Sequence, residues 1–312
     1  MKSKILITGA GGYIGSMLTT RLVELGYKVL AVDIMKYNAN SLSHLFCYEN
    51  FSFIRADISK PAVVKKIVRK VDFIIPLAAL VGAPLCKKYK KLAKKVNVKS
   101  IKLILNFINN KQKIIYPTTN SGYGVGQKSK LCDEKQILKP VSLYGSTKVE
   151  AEKLIMEHGN SICFRLATVF GFSHRMRTDL LVNNFVMKAV NFKKIYLYEP
   201  HFRRNYIHIK DVVDGFIFSI KNFNKLKNNI YNLGLSSANL TKINLAKRIK
   251  AVVKRLKILI VKNISDPDKR DYYVSNKKIE KAGFKPSVSL DAGIRELAKV
   301  FKYSTIKFKN NY

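Results

Sequence analysis

The first fifteen residues constrain what this chain can fold into more than any other stretch. An unbroken apolar run at 5–7 is followed by Gly9, Gly12 and Gly15. Such a run is typical of a strand buried on both faces of a parallel sheet. Gly9 permits a tight turn, Gly12 lets a phosphate approach the backbone, and Gly15 lets the next helix pack close to the strand. The stretch therefore predicts a strand, a glycine turn and a helix whose first N–H groups face a pyrophosphate.

Strand and helix patterns alternate along the first 170 residues. The predicted strands cover 5–7, 28–32, 51–56, 71–75, 113–116 and 161–166. The predicted helices cover 13–25, 63–68, 87–109 and 142–157. This alternation predicts an α/β fold, namely a Rossmann-type doubly wound parallel sheet with helices on both faces.

The pattern changes after Gly171, where helices mix with short strands. The predicted helices are 179–190, 210–222, 241–254 and 290–302, and the predicted strands are 195–198, 229–232 and 257–262. We therefore expect a dinucleotide-binding domain at 1–170 and a smaller, mixed α/β substrate domain at 171–312. We expect the chain to return to the large sheet at about 205–233, and the tail 307–312 to be frayed.

Asp33 stands at the end of the second predicted strand. A carboxylate at this position suits the two hydroxyls of an adenosine ribose and repels a 2′-phosphate. Together with the glycine turn, it predicts NAD rather than NADP as the cofactor.

Tyr144 and Lys148 form the second informative pattern, because residues four apart on a helix share a face. A phenol with a pKa of about 10 is a poor base at neutral pH. Bringing that pKa near 7 requires about 4 kcal/mol of preferential phenolate stabilisation, which a lysine and a nicotinamide ring can supply. Thr119 adds a hydroxyl at the end of the fifth strand, where ligands of such folds bind. We therefore predict Thr119, Tyr144 and Lys148 as catalytic residues.

The net charge of the chain indicates a second possible class of function, polyanion binding. The sequence has 58 Lys and Arg residues against 20 Asp and Glu residues, a net charge of +38. Such a balance is typical of proteins that bind nucleic acids or other polyanions. The densest basic run, residues 87–95, falls on a predicted helix with its own apolar positions, which indicates a solvated face. We expect no specific nucleic-acid partner, and a polyanion-binding protein is the alternative.

Other features predict a soluble cytoplasmic protein that does not act on a membrane. No apolar run approaches the length of a membrane span, and the N-terminus enters a strand directly. The four cysteines have no metal-site spacing, so we expect reduced thiols and no metal.

Several motifs follow one another in the order of a known family. They are residues 8–15, Asp33, Asp57 with Ile58, residues 77–79, residues 118–124, Tyr144 with Lys148, and residues 204–208. Over residues 5 to about 215, the chain resembles the extended short-chain dehydrogenase/reductases, and in particular their NAD-dependent nucleotide-sugar epimerase/dehydratase group. The resemblance implies an NAD cofactor, a nucleotide-sugar substrate, and a homodimer formed through the predicted helices 87–109 and 142–158.

The resemblance also implies a role for each matched residue. The cofactor-binding residues are Gly9, Gly12, Tyr13, Ile14 and Gly15 at the pyrophosphate, Asp33 at the adenosine ribose, Asp57 and Ile58 at the adenine, Leu77, Ala78 and Ala79 along the dinucleotide, and Tyr144 and Lys148 at its nicotinamide end. Tyr144 takes the proton from a sugar hydroxyl, usually that on C4, as hydride leaves the same carbon. The substrate-binding residues are Thr119, Asn120, Ser121, Thr168, Arg175, Arg177, Arg204 and Arg270.

Departures from the family pattern reduce the number of reactions that the resemblance allows. In the 4,6-dehydratases the two residues after the Thr119 position are acidic, but here they are Asn120 and Ser121, which disfavours dehydration. Thr168 stands where the family usually has an asparagine. An arginine that the family has near the C-terminal domain is absent from this chain, and Arg270 is the nearest candidate to replace it. Arg175 and Arg177 are suited to bind a nucleotide phosphate or base. Arginines are equally common in an ordinary loop before a helix, so both interpretations stay open.

Two reactions remain open. A 4-epimerase returns the hydride to the other face of the 4-keto sugar, whereas a 4-dehydrogenase stops at the ketone. The segments 116–124 and 175–179 are most similar to the dehydrogenases that oxidise GDP-manno-heptose at C4. We therefore expect a GDP-heptose 4-dehydrogenase, with a UDP- or GDP-sugar 4-epimerase as the alternative.

Overall fold

A computed structural model describes residues 2–37, 40–126, 131–261 and 270–304. The predicted frayed tail at 307–312 and the last residue of the predicted strand 257–262 lie outside these ranges. The strands are β1 (Lys4–Thr8), β2 (Lys28–Asp33), β3 (Phe51–Arg55), β4 (Phe73–Pro76), β5 (Lys113–Thr119), β6 (Ser161–Leu166), β7 (Thr168–Phe170), β8 (Lys194–Leu197), β9 (Arg203–His208), β10 (Asn229–Leu233), β11 (Asn239–Thr241) and β12 (Lys257–Ile260).

Most helices lie where the sequence predicts them, but the predicted helix 87–109 is broken, and the short helices at 223–226 and 277–281 were not predicted. They are α1 (Tyr13–Glu24), α2 (Pro61–Ile67), α3 (Ala83–Lys88), α4 (Lys90–Lys94), α5 (Ser100–Phe107), α6 (Leu143–His158), α7 (Leu181–Phe192), α8 (Ile209–Lys221), α9 (Phe223–Leu226), α10 (Lys242–Val252), α11 (Lys277–Lys281) and α12 (Leu290–Tyr303). The prediction of one helix over 87–109 is wrong, because Tyr89 leaves the helical region with φ −120° and ψ 61°. A π-helical segment, Lys95–Lys99, then joins α4 to α5.

The π-helical segment contains Asn97, whose side chain bonds to residues distant in sequence. Its Oδ1 accepts a hydrogen bond from the Leu80 nitrogen at 2.7 Å, and its Nδ2 donates to the Leu80 carbonyl at 3.0 Å and to Thr147 Oγ1 at 3.0 Å. Asn97 is buried, so these bonds satisfy both ends of an amide that water does not reach. The loop after β4 is thereby held against α6.

The main sheet has seven parallel strands in the order β10-β6-β5-β4-β1-β2-β3. In β1 the side chains alternate between the faces. Ile5 and Ile7 pack with α1 and α8 on one face, whereas Leu6 packs with α2, α5 and α6 on the other. All three are fully buried, which confirms the apolar run as a central strand covered on both sides.

The second half of the chain builds a smaller layer and also extends the main sheet. Strands β11, β9 and β7 form one small sheet, and β12 and β8 form another. A separate apolar core joins α7, α10 and α12 to these strands. The return of the chain to the large sheet is observed for α8 and β10, but residues 205–208 lie in β9, which pairs with β7. The division at residue 170 stays a prediction.

None of the described helices is long and apolar enough to cross a lipid bilayer. All four cysteines are free thiols, with Cys47 exposed and Cys86, Cys132 and Cys163 buried.

A buried ion pair fixes α6 against β6. Arg165 Nη2 donates to Glu152 Oε1 at 2.7 Å, and its Nε donates to both carboxylate oxygens at 3.2 Å. Both side chains are 5% exposed. Arg165 Nη1 also donates to the Tyr123 hydroxyl at 3.1 Å. Since removing one partner of such a pair leaves the other charge buried and uncompensated, the pair is a point where α6 is sensitive to substitution.

Glu152→Ala is expected to lower the free energy of unfolding by about 3–5 kcal/mol, because it leaves the Arg165 guanidinium buried without its carboxylate. Chemical denaturation followed by far-UV circular dichroism measures this loss. The matched control is Glu157→Ala on the same helix, whose exposed pair with Lys153 spans 3.8 Å and contributes about 0–1 kcal/mol. Equal losses in the two variants would contradict the assignment.

Candidate active site

The glycine turn brings β1, β4 and α1 into close contact. Gly9 has a φ of +72°, and a Cβ on it would lie 2.5 Å from the Ala78 nitrogen. A Cβ on Gly15 would lie 2.1 Å from the Gly9 carbonyl oxygen. The turn is closed by a hydrogen bond from the Gly12 nitrogen to the Gly9 carbonyl oxygen at 3.0 Å. Helix α1 begins at the next residue, so its first N–H groups face the cleft beyond the turn.

That cleft lies at the carboxyl ends of β1, β2, β4 and β5. Its walls contain every predicted cofactor-binding residue, namely Gly9, Gly12, Tyr13, Ile14, Gly15, Asp33, Asp57, Ile58, Leu77, Ala78, Ala79, Tyr144 and Lys148. Ligands of open parallel sheets bind at this edge. A glycine turn, a helix start and a carboxylate therefore line one groove, and these groups fit a dinucleotide.

Asp33 is held in place by backbone hydrogen bonds at the carboxyl end of β2. Its Oδ2 accepts a hydrogen bond from the Gly11 nitrogen at 3.0 Å, and its Oδ1 accepts one from the Met35 nitrogen at 2.7 Å. Burial raises the pKa of this carboxyl, while the same backbone hydrogen bonds act in the opposite direction. The carboxylate thus has a fixed position from which it can accept hydrogen bonds from ribose hydroxyls.

Tyr144 and Thr119 meet at the opposite end of the cleft. Burial raises the pKa of Tyr144 to about 12, opposed by the positive charges of Arg177 and Arg270 and by a hydrogen bond with Thr119. Thr119 Oγ1 donates to Ser121 Oγ at 2.9 Å. Arg270 Nη1 donates to the same Ser121 oxygen. Hydrogen bonds therefore join Arg270, Ser121 and Thr119 into a polar series, and the Thr119 end of the series lies near the phenol.

Lys148 lies one helical turn after Tyr144 and is buried. Burial lowers its pKa to about 7, and the carboxylate of Glu152 acts in the opposite direction. Its ammonium group lies 3.9 Å from the centroid of the Tyr116 ring. An aromatic face gives a buried cation favourable but incomplete compensation for lost water. The group consequently changes charge close to neutral pH.

The structure brings together five of the eight predicted substrate-binding residues. Thr119, Ser121 and Arg270 are joined by hydrogen bonds near Tyr144. Arg175 and Arg177 line the same cleft as Tyr144. Thr168 opens β7, opposite Tyr206 of β9. Arg204 is buried in β9, with its guanidinium 5.7 Å from the Tyr272 ring centroid.

Asn120 differs from its neighbours in hydrogen bonding. It is buried, and its side-chain nitrogen and oxygen have no hydrogen-bond partner within the described part of the chain. Such an amide is costly to bury alone, which favours a ligand group beside it.

Sequence reasoning assigned no site role to four cleft residues that follow Asp33, namely Ile34, Met35, Lys36 and Tyr37. The signal that could have found them is position, because residues directly after the tip of β2 lie at the ligand edge of the sheet. It also missed the bond from the Tyr13 hydroxyl to the Gly171 carbonyl oxygen at 2.7 Å, which ties the turn to the second half of the chain.

Comparisons with known proteins agree with this geometry. The sequence model of the NAD dependent epimerase/dehydratase family matches residues 5–234. An uncharacterised protein of Methanocaldococcus jannaschii is 29% identical, covering 96% of this chain and 97% of its own. The dTDP-D-glucose 4,6-dehydratase of Mus musculus is 25% identical, covering 98% and 91%.

Solved structures share the fold. The dTDP-glucose 4,6-dehydratase of Bacillus anthracis, in complex with NAD, has a TM-score of 0.84 at 20% identity, covering 97% of each chain. The UDP-glucuronic acid 4-epimerase of Bacillus cereus, in complex with UDP-glucuronic acid and NAD, has a TM-score of 0.85 at 22% identity, covering 96% of this chain and 99% of that one.

These findings confirm the predicted Rossmann-type α/β fold, the prediction of an enzyme and the prediction of NAD as cofactor. The prediction that the chain is a nucleotide-sugar enzyme of the epimerase/dehydratase kind is confirmed at the level of the family. The chain belongs to the NAD dependent epimerase/dehydratase family.

Proposed function

We propose that this enzyme removes hydride from C4 of a nucleotide sugar and forms the 4-keto sugar, with Tyr144 as the base. The observation that carries the proposal is the polar series of Arg270, Ser121 and Thr119, whose Thr119 end lies near Tyr144 in the dinucleotide cleft. A base beside a hydroxyl-binding threonine suits removal of a proton from an alcohol. NAD, when bound, accepts the hydride.

The residues beside Thr119 favour oxidation without loss of water. Dehydration at C5 and C6 needs a general acid and a general base, and the side chains of Asn120 and Ser121 are neither near neutral pH. Ser121 already accepts from Arg270 and bonds to Thr119, which gives it a positioning role. Similarity in the segments 116–124 and 175–179 supports GDP-manno-heptose as the substrate type.

A 4-epimerase is the second candidate, favoured by the 4-epimerase of Bacillus cereus among the similar structures. A 4-epimerase shares its first step with a 4-dehydrogenase, because epimerisation also begins with oxidation at C4 to the 4-keto sugar. The two reactions differ in whether the same dinucleotide returns its hydride to C4.

Incubation of the purified protein with GDP- and UDP-sugars, including GDP-manno-heptose, is expected to produce a 4-keto sugar together with NADH in stoichiometric amounts. Mass spectrometry identifies the ketone, and absorbance at the NADH band measures reduction. Recovery of a C4 epimer with NAD unchanged would assign the epimerase instead. A 6-deoxy-4-keto product would contradict the argument from Asn120 and Ser121.

Tyr144→Phe is the matched control for this experiment, since it removes only the phenolic oxygen. We expect kcat/KM to fall by about 10²- to 10⁴-fold, the usual contribution of general acid–base catalysis. Turnover at the rate of the unmodified enzyme would overturn the role of Tyr144.

The pH profile of kcat/KM is expected to rise with pH, because burial holds the pKa of Tyr144 above neutral and the phenolate is the active form. Arg177→Gln removes a cation that favours the phenolate, so the rising limb should move to higher pH. Arg177→Lys keeps the charge and should move the limb less. Superimposable profiles for all three proteins would contradict the electrostatic role of Arg177.

We also propose the homodimer that the family resemblance implies. The segment from α3 to α5 exposes Tyr89 and Phe107, whose large apolar groups support contact with a second copy. Light scattering should give twice the 35.5 kDa mass of the chain. The lysines at 87–95 repel one another across a symmetric contact, so added salt should strengthen the dimer. A mass of one chain at low and high salt would exclude it.

A further inference from the structure

Arg175 lies on the wall of the dinucleotide cleft, far along the chain from the glycine turn. It is 3% exposed, and its guanidinium is 4.8 Å from the ring centroid of Tyr37. The same wall contains Asp33 and Lys36. The charges of Arg175 and Asp33 act on each other's pKa, as expected for neighbours. Arg175 therefore faces the adenosine half of the cleft.

The segment that presents Arg175 is bonded to the start of α1. Ser173 Oγ donates to the Tyr13 carbonyl oxygen at 2.7 Å and lies 3.1 Å from Ser16 Oγ. The Arg175 nitrogen in turn donates to Ser173 Oγ at 3.2 Å. The backbone of Arg175 is thus bonded to Ser173, and Ser173 contacts the first turn of α1. The N–H groups of a first helical turn bind the pyrophosphate of a dinucleotide.

From this placement we propose that Arg175 binds the pyrophosphate of the dinucleotide, rather than the nucleotide sugar. A guanidinium has only donors and a permanent positive charge, and the pyrophosphate is the anionic group of NAD. Stacking on Tyr37 orients the guanidinium plane, and Nη1 donates to the Met176 carbonyl oxygen at 3.3 Å. The second half of the chain thereby contributes a cation to the wall of the cofactor cleft.

The charge of Asp33 strengthens this assignment. A carboxylate at the ribose repels the nearby phosphates, and a cation beside it offsets that repulsion without removing the hydrogen-bond acceptors that ribose needs. Arg177, two residues on, instead pairs with Asp179 and acts on Tyr144. The two arginines of this segment therefore serve different ends of the cleft.

The test compares Arg175→Gln with Arg69→Gln, an exposed arginine outside the cleft. The full chain, stripped of dinucleotide with charcoal, is titrated with ADP-ribose and with adenosine. Arg175→Gln should weaken ADP-ribose binding by about 10- to 100-fold, the range for a hydrogen bond to a charged group. Adenosine, which has no pyrophosphate, should bind both variants as it binds the unmodified protein. Arg175→Lys should recover part of the affinity.

A second measurement separates a contact with the cofactor from a structural role. The thermal midpoint without dinucleotide should be the same in Arg175→Gln and Arg69→Gln, whereas the increase on adding NAD should shrink in Arg175→Gln alone. Unchanged ADP-ribose binding with weakened GDP or UDP binding would overturn the proposal and return Arg175 to the substrate site. Equal losses for adenosine and ADP-ribose would also overturn it. The inference rests on NAD binding and not on the proposed sugar oxidation, so a failed turnover experiment leaves it intact.

Discussion

Close contact between backbones at the glycine turn is the constraint on which the rest of the structure depends. The main chain of Gly9 approaches Ala78, and Gly15 approaches the Gly9 carbonyl, each nearer than any Cβ allows. Because β1 also pairs with β4 along Ile5–Thr8, these two approaches fix the shape of the cleft where the strands end.

The second half of the chain is held to this turn by hydrogen bonds. The Tyr13 hydroxyl donates to the Gly171 carbonyl and accepts from Asn183 Nδ2 at 3.3 Å. Burial raises the pKa of Tyr13, which keeps its hydroxyl protonated and able to donate. Breaking such buried bonds is costly, since each leaves a polar group without water. The residues that close the cleft are therefore positioned by the helix that begins at the turn.

The features that could be predicted from the sequence are those that a local pattern of residues determines. The glycine spacing, the apolar run of β1 and the Tyr144–Lys148 spacing each act within one turn or one strand, and the structure places their residues around one cleft. The sequence did not predict contacts that depend on distant partners. The helix breaks at Tyr89, while Asn97 in the following π-helical segment bonds to Leu80. The location of Arg175 depends on how Ser173 contacts α1, which no pattern near residue 175 encodes.

The large positive charge and the chemistry of the site are separate properties. The exposed lysines create a field that attracts anionic ligands and that salt screens. The buried cations behave differently, because Arg165 and Arg177 have carboxylate partners, whereas the Lys148 ammonium lies over an aromatic ring. A group with a pKa of about 7 responds to any new charge beside it. The charge of Lys148 therefore depends on the burial of its ammonium group and on the Glu152 carboxylate, and not on the exposed lysines.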